Sequence, residues 1–461
     1  MSALWTSDEI AAATGGTVSA RFEAAGVTFD SREARPGDLF IAMPGSVHDG
    51  HRFVDAAFAA GAAGAIVAQP VNGPHVLVED TFAALQALGR AARERTAATV
   101  IGVTGSVGKT STKEAIFAAL DRNRPGRVHR SVKSYNNHTG VPLSLARMPR
   151  DTEFAVFEMG MNNAGEIAAL TRQVRPHVAL ITAIAPAHIE NLGSEEAIAD
   201  AKAEIFQGLE PGGTAIVPND TPHRDRLVKA AGRLAERIVT FGGGDADIHA
   251  VHAVSAEGGG SLISAALLER ELTFTISQRG DHWVSNALAV LAVVEAVGAD
   301  VAIAGLALAD MGGIKGRGQR HYVNVEGGKL LLIDESYNAN PASMAATLRS
   351  LGAERDVARR IAVLGPMREL GEHSEALHAG LAPAVLEGKV DRLILIGEEM
   401  RPLADALGGA IPTQNSADVD QAADALMGFI RPGDAILVKA SNSVGLAKLV
   451  ERMVREPACS T

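Results

Sequence analysis

The run Gly102-Val103-Thr104-Gly105-Ser106-Val107-Gly108-Lys109-Thr110 constrains this chain more than any other stretch. An apolar, β-branched segment, Val100–Val103, leads into it. A helical pattern carrying Ile116, Phe117 and Leu120 leads out. Glycines at a strand-to-helix turn let backbone N–H groups curl around phosphate oxygens, and the helix N-terminus adds partial positive charge. In that setting Lys109 reaches the terminal phosphates and the Thr110 hydroxyl ligates Mg²⁺. The spacing departs from the usual phosphate loop, because the position five residues before Gly108 holds Val103. A glycine-rich turn that merely packs is the plainer reading. Gly-Lys-Thr at such a junction predicts nucleoside triphosphate binding instead, with Thr104 to Thr110 around ATP.

The rest of the chain alternates short apolar runs with longer helical patterns. Phe154–Phe157 precedes Ala164–Arg172, Val178–Thr182 precedes Glu195–Leu209, and Leu330–Ile333 precedes Pro341–Leu351. Arg360–Leu364, Ser374–Leu386 and Arg392–Ile396 continue the rhythm to a last helix at Val444–Arg455. Such alternation predicts an α/β fold with parallel sheets covered on both faces. Residues 245–277 break the pattern with alternating Leu272, Phe274 and Ile276, which predicts antiparallel ribbon. The first hundred residues read as a smaller α/β unit, with strands near Leu39–Met43, Ala65–Ala68 and Val76–Val78. Helices there are expected near Phe53–Ala60 and Phe82–Arg95. A chain of 461 residues exceeds what one core supports, so domains 1–97, 98–314 and 315–461 are expected. The glycine-rich 312–318 is the clearest linker.

A net charge of −11 argues against nucleic acid or a membrane surface as partner. One cysteine, Cys459, cannot staple a secreted fold. The start carries no basic segment followed by an apolar run, and no apolar stretch is long enough to span a bilayer. A cytoplasmic monomer without membrane insertion is the expectation.

Several polar residues sit where ligands bind in α/β folds. Glu158 ends the strand Phe154–Phe157, at the edge where a carboxylate can hold the Mg²⁺ of a bound nucleotide. Taken alone, it is as well explained as a strand-end acid. His188 in Pro186-Ala187-His188-Ile189-Glu190-Asn191 reads alone as a polar loop residue, and Lys202 as a solvated helical lysine. Asn136 and Asn137, in Ser134-Tyr135-Asn136-Asn137-His138-Thr139-Gly140-Val141-Pro142, offer amides to a substrate without adding charge, or simply make a turn. Asp334 ends the strand before Glu335-Ser336-Tyr337-Asn338-Ala339-Asn340-Pro341, where it could meet the ribose of ATP across a domain cleft.

Together these segments resemble the Mur ligase family. The resemblance covers all three blocks in order, from Asp30-Ser31-Arg32 through Thr-Gly-Ser-x-Gly-Lys-Thr to Tyr337–Pro341 and Leu364-Gly365-Pro366-Met367-Arg368-Glu369-Leu370-Gly371. It implies a three-domain architecture: an N-terminal UDP-binding α/β domain, a central parallel-sheet phosphate-loop ATPase domain and a C-terminal Rossmann-like domain. It further implies that Glu158 and His188 bind Mg²⁺ and that Lys202 is carbamylated. A carbamate offers anionic oxygens where an ammonium cannot ligate a cation. Ser31 and Arg32 are implied at the uridine diphosphate, Asn286 near the adenine, and Asn136, Asn137, Asn338 and Asn340 at the substrates. The Asn-Asn-x-x-Gly-Val-Pro and Tyr-Asn-Ala-Asn-Pro runs resemble the branch that adds D-alanyl-D-alanine to UDP-N-acetylmuramoyl-tripeptide. Trp283 and Asn442 depart from the family pattern, which usually has Asn and Arg there.

The chemistry implied is a two-step amide synthesis: phosphorylation of a substrate carboxylate, then attack by the dipeptide amine. Closure of the outer domains over the central one would shield the acyl phosphate from water. The branch adding diaminopimelate or lysine, a folate-polyglutamylating ligase and a phosphate-loop kinase are the competing expectations.

Overall fold

Strand Thr99–Thr104 is the axis of the largest sheet, and its side chains explain why. Val100 faces one apolar layer while Ile101 and Val103 face the other, so the strand is buried on both sides. This is the signature of a parallel strand covered by helices on each face. The computed structural model describes residues 3–45, 48–187, 189–256 and 259–455.

In that sheet, strand Thr99–Thr104 pairs in parallel with Phe154–Glu158 on one side and Val178–Ile181 on the other. Val128–Arg130 lies beyond Phe154–Glu158 at one edge, and Thr214–Pro218, Arg237–Gly242 and Ile248–Ser255 extend the other. From Thr99–Thr104 the chain first builds one side and then crosses to the other. The C-terminal end of this strand is therefore a topological switch point, where open α/β sheets bind ligands. Antiparallel strands Ser261–Ala266 and Glu271–Ile276 finish the sheet, as the alternation in 245–277 predicts.

The N-terminal residues form a five-stranded sheet, parallel except for Thr17–Val18, with strands Asp38–Ile41, Gly64–Val67 and His75–Leu77 where the sequence places them. The C-terminal residues form a six-stranded sheet, parallel except for Gln319–Val325. One expectation changes in detail. The pattern Glu195–Leu209 is an α-helix only over Glu195–Ala203 and tightens to a 3₁₀ turn over Glu204–Gly208. The Glu204 carboxylate accepts from the N–H groups of Gly165 and Ala168, and so caps the neighbouring helix Glu166–Val174.

The N-terminal sheet is locked to the central one by buried polar contacts. The Trp5 indole donates to the Ala146 carbonyl at 2.8 Å. Arg93, on helix Thr81–Glu94, donates to the carbonyls of Val174 at 2.8 Å and Arg175 at 2.7 Å. These are orphan acceptors at the end of helix Glu166–Val174, which a cation suits. The C-terminal sheet is joined by Glu354, buried, which accepts from Arg279 of the central block at 2.6 Å and from Arg320 at 2.7 Å. Among the described residues no helix is long and apolar enough to cross a membrane.

Candidate active site

The loop after Thr99–Thr104 lies at the switch point and opens helix Lys109–Asn123. Its glycines are required. At Gly105, φ is +150° and a Cβ would lie 2.0 Å from the Thr182 hydroxyl. At Gly108, φ is +84° and a Cβ would meet the Asn286 side-chain oxygen at 3.0 Å. Thr182 in turn donates to the Val107 carbonyl at 2.6 Å, and Ser106 N–H donates to the Ala183 carbonyl at 2.8 Å. The loop is thus fixed by the neighbouring strand before any ligand arrives, as preorganised binding demands. The Lys109 ammonium donates to the Gly105 carbonyl at 2.7 Å. Burial pulls that ammonium below the usual lysine range; the Glu158 and Glu369 charges oppose this and Arg317 adds to it.

Glu158 is nearly inaccessible and fully engaged. Thr110 donates to its Oε2 at 2.8 Å, Asn136 donates to its Oε1 at 2.8 Å, and its own N–H donates to the Ser131 hydroxyl at 2.9 Å. A carboxylate beside a loop threonine is a hard-oxygen pair of the kind Mg²⁺ takes. Lys202 adds a second sign. Its Nζ is completely buried, has no hydrogen-bond partner among the described residues, and burial together with the Lys109 charge holds it well below the usual lysine range. A buried amine without a partner among the described residues is costly as it stands, and burial favours its neutral form, which is the form that takes up CO₂, so these residues fit a carbamate and a divalent cation. His188 lies outside the described residues.

A cavity of about 660 Å³ opens over the phosphate loop and Glu158; Lys202 does not line it. Ser106, Val107, Gly108, Lys109, Thr110 and Glu158 form its central wall; Asn136, Asn137 and Asn286 flank them, and Asn338 and Asn340 close it from the C-terminal sheet. Sequence-derived candidates from the central and C-terminal blocks therefore share one space. Some of their atoms are already used. Asn137 Oδ1 accepts from the N–H of Gly140 at 2.9 Å, which makes a turn, and Asn340 Oδ1 caps helix Pro341–Gly352 through the Ser343 N–H at 2.9 Å.

Other candidates stand apart from that wall. Thr104 is buried beneath the loop. Asp334 is buried with both oxygens spent, one on the Gly316 N–H at 3.0 Å and one on the Ser336 hydroxyl at 2.6 Å. It braces the 312–318 segment. Arg32 is exposed, its guanidinium held by Asp30 at 2.7 Å and 2.9 Å, with Ser31 beside it. The Lys133–Glu33 ion pair joins that turn to the segment bearing Asn136.

Two residues that the sequence shows within motifs but without a role stand at the site. Arg317 lies over the Tyr337 ring at 4.5 Å, donates to the Ser134 hydroxyl at 3.4 Å and lines the cavity. The sequence places it in the hinge run Gly316-Arg317-Gly318-Gln319-Arg320, a loose match to the family's Gly-Arg-x-Gln, without a role for its side chain. Glu369 has a left-handed backbone, φ +64°, rare for a residue with a side chain, and its charge is felt at Lys109.

Three family models match the chain in order: the Mur ligase family catalytic domain over residues 23–104, the Mur ligase middle domain over 103–294, and the Mur ligase glutamate ligase domain over 316–442. A Synechocystis protein named UDP-N-acetylmuramoyl-tripeptide–D-alanyl-D-alanine ligase is 37% identical over 93% of this chain and 91% of its own. The chain belongs to the Mur ligase family. A Bacillus subtilis ligase of the same name is 35% identical over 94% of this chain and 93% of its own. Among solved structures, MurF from Acinetobacter baumannii superposes with a TM-score of 0.84 at 30% identity, covering 98% of this chain and 99% of that one. MurF from Thermotoga maritima in complex with ADP gives a TM-score of 0.77 at 28% identity, covering 94% of this chain and 97% of that one. As a Mur ligase the chain is an enzyme, and its α/β architecture is that of this family.

Proposed function

We propose that this Mur ligase joins D-alanyl-D-alanine to UDP-N-acetylmuramoyl-tripeptide in the cytoplasm, consuming ATP and releasing ADP and phosphate. The observation that carries the reading is the shared cavity, in which the phosphate loop, Asn136 and Asn137 face Asn338 across the joint between two sheets. The names of the relatives that match over nearly the whole chain support the same substrates. The domain limits 1–97, 98–314 and 315–461 belong to this proposal, as do the residue roles that follow.

A substrate carboxylate oxygen attacks the γ-phosphorus of ATP, the bond to the β-phosphate oxygen breaks, and ADP leaves. The dipeptide amine then attacks the acyl phosphate carbon, the carbon–oxygen bond breaks and phosphate leaves. Backbone N–H groups from Thr104 to Thr110 and the start of helix Lys109–Asn123 hold the phosphates, and Lys109 neutralises charge as it moves onto ADP. Thr110, Glu158, His188 and carbamylated Lys202 would hold Mg²⁺. When bound, Mg²⁺ supplies charge neutralisation on the phosphates. Asn286 borders the nucleotide, Asp334 braces the joint on which the C-terminal domain turns, and Ser31 with Arg32 faces the diphosphate of the UDP substrate. Asn136, Asn137, Asn338 and Asn340 orient the two peptide ends.

The test is isotopic. With ¹⁸O in the terminal carboxylate of the tripeptide, the released phosphate must carry one ¹⁸O. Unlabelled phosphate accompanying amide formation rules out the acyl phosphate route.

A further inference from the structure

We propose that Lys113 is a positioning residue for ligation, tying the phosphate-loop helix to segment 131–137 and fixing the Glu158 carboxylate from behind. Lys113 stands four residues after Lys109, on the inner face of the helix, and is fully buried. Its ammonium donates to the carbonyls of Ser131 at 2.9 Å and Lys133 at 2.6 Å, and pairs with Glu114 Oε1 at 3.1 Å. An ammonium carries three protons, and these three oxygens account for them. Glu158 Oε2, at 3.7 Å, therefore receives the field of the charge rather than a hydrogen bond.

The segment held in this way is the one that serves the cavity. Ser131 accepts from the Glu158 N–H, Ser134 and Asn137 line the cavity wall, and Asn136 donates to Glu158 Oε1. The groups hydrogen-bonded to the Glu158 carboxylate, the Thr110 hydroxyl and the Asn136 amide, are neutral. Lys113 is its ion-pair partner among the described residues. An apolar side chain in its place takes this donor from the buried Ser131 carbonyl and from the partly buried Lys133 carbonyl and removes that charge, with no direct contact to substrate lost. Lys113 thus couples nucleotide-loop geometry to substrate-loop geometry. The inference rests on the reading of Glu158 as a cation ligand.

The full chain is tested with Lys113→Met and Glu114→Gln. For Lys113→Met we expect amide hydrogen exchange in 131–137 at least tenfold faster and kcat at least tenfold lower. The KM for the UDP-linked substrate should rise at least threefold while that for ATP stays within threefold, a split that a loss of stability alone does not produce. Glu114 is partly exposed and also pairs with Arg130 at 2.7 Å; Glu114→Gln keeps its size while removing the negative charge beside both cations, so the Lys113 charge is more strongly felt at Glu158. The Mg²⁺ concentration for half-maximal binding of a fluorescent ATP analogue should rise at least threefold. Parental kcat and parental exchange in Lys113→Met overturn the proposal; so does an unmoved Mg²⁺ midpoint in Glu114→Gln, which decides alone if Lys113→Met does not fold. Should the parent bind nucleotide without regard to Mg²⁺, the reading of Glu158 fails instead, and exchange in Lys113→Met still decides the role of Lys113.

Discussion

The Thr110 hydroxyl donates to Glu158 at 2.8 Å, across 48 residues of sequence. That bond joins the start of the phosphate-loop helix to the end of the adjacent strand, so two signals read separately in the sequence are one constellation. Glu158→Gln keeps the shape and one of the two acceptor oxygens but removes the negative charge. We expect kcat to fall at least a hundredfold with the melting temperature within a few degrees of the parent, measured by steady-state ADP release and calorimetry. An activity loss matched by a large loss of stability would make Glu158 structural.

Lys202→Ala removes the orphaned amine. Catalysis should collapse, while the loss of stability stays below the roughly 2–5 kcal/mol of a buried Met→Ala change, because removal of a buried polar atom offsets part of the cavity left by the side chain. Short-chain carboxylates added to the variant should restore part of the rate by placing oxygens where the carbamate stood. Full activity in Lys202→Ala would take Lys202 out of the site.

Glu354 links the central block to the C-terminal sheet through Arg279 and Arg320. Its carboxylate is buried while both guanidinium groups keep partial contact with water, so the loss on Glu354→Ala belongs below the roughly 3–5 kcal/mol expected for breaking a fully buried pair. We expect about 1–3 kcal/mol by chemical denaturation, and small-angle scattering should register a wider distribution of domain arrangements. Unchanged scattering would show that the clamp does not hold the two sheets together.

His129 supplies a pH prediction. Burial lowers its imidazole to about 4 from the usual 6.5, and its Nε2 donates to the Ser144 carbonyl at 2.8 Å. The folded state thus binds the proton less readily than the unfolded chain, so stability falls as pH drops from about 6.5 towards 4. The shift corresponds to at most about 3 kcal/mol, and partial solvent access reduces this to roughly 2 kcal/mol. His129→Gln should flatten that limb of the stability profile, followed by urea denaturation between those pH values. An unaltered limb would assign the acid sensitivity to other groups.

Much of this was legible from residues alone. The strand-to-helix junction at Gly102–Thr110, the ribbon within 245–277 and the strand-end position of Glu158 follow from periodicity and glycine chemistry. What the sequence hid was competition for atoms. Asp334 reads as a free carboxylate, but its oxygens are consumed by Gly316 and Ser336. Asn340 reads as a substrate amide and also caps a helix. Lys113 follows the phosphate loop as an ordinary helical lysine, and only the fold brings the carbonyls of Ser131 and Lys133 to it. Short strands such as Trp5–Thr6 and Glu23–Ala24 carry too few residues to show a period.

The most direct measurement is ADP release by the full chain with ATP and Mg²⁺, with each peptide substrate supplied alone and then together. Release that requires both UDP-N-acetylmuramoyl-tripeptide and D-alanyl-D-alanine, matched mole for mole by the amide product, is the predicted result. Release that ignores the dipeptide, or that answers to free diaminopimelate and the dipeptide precursor instead, contradicts the account.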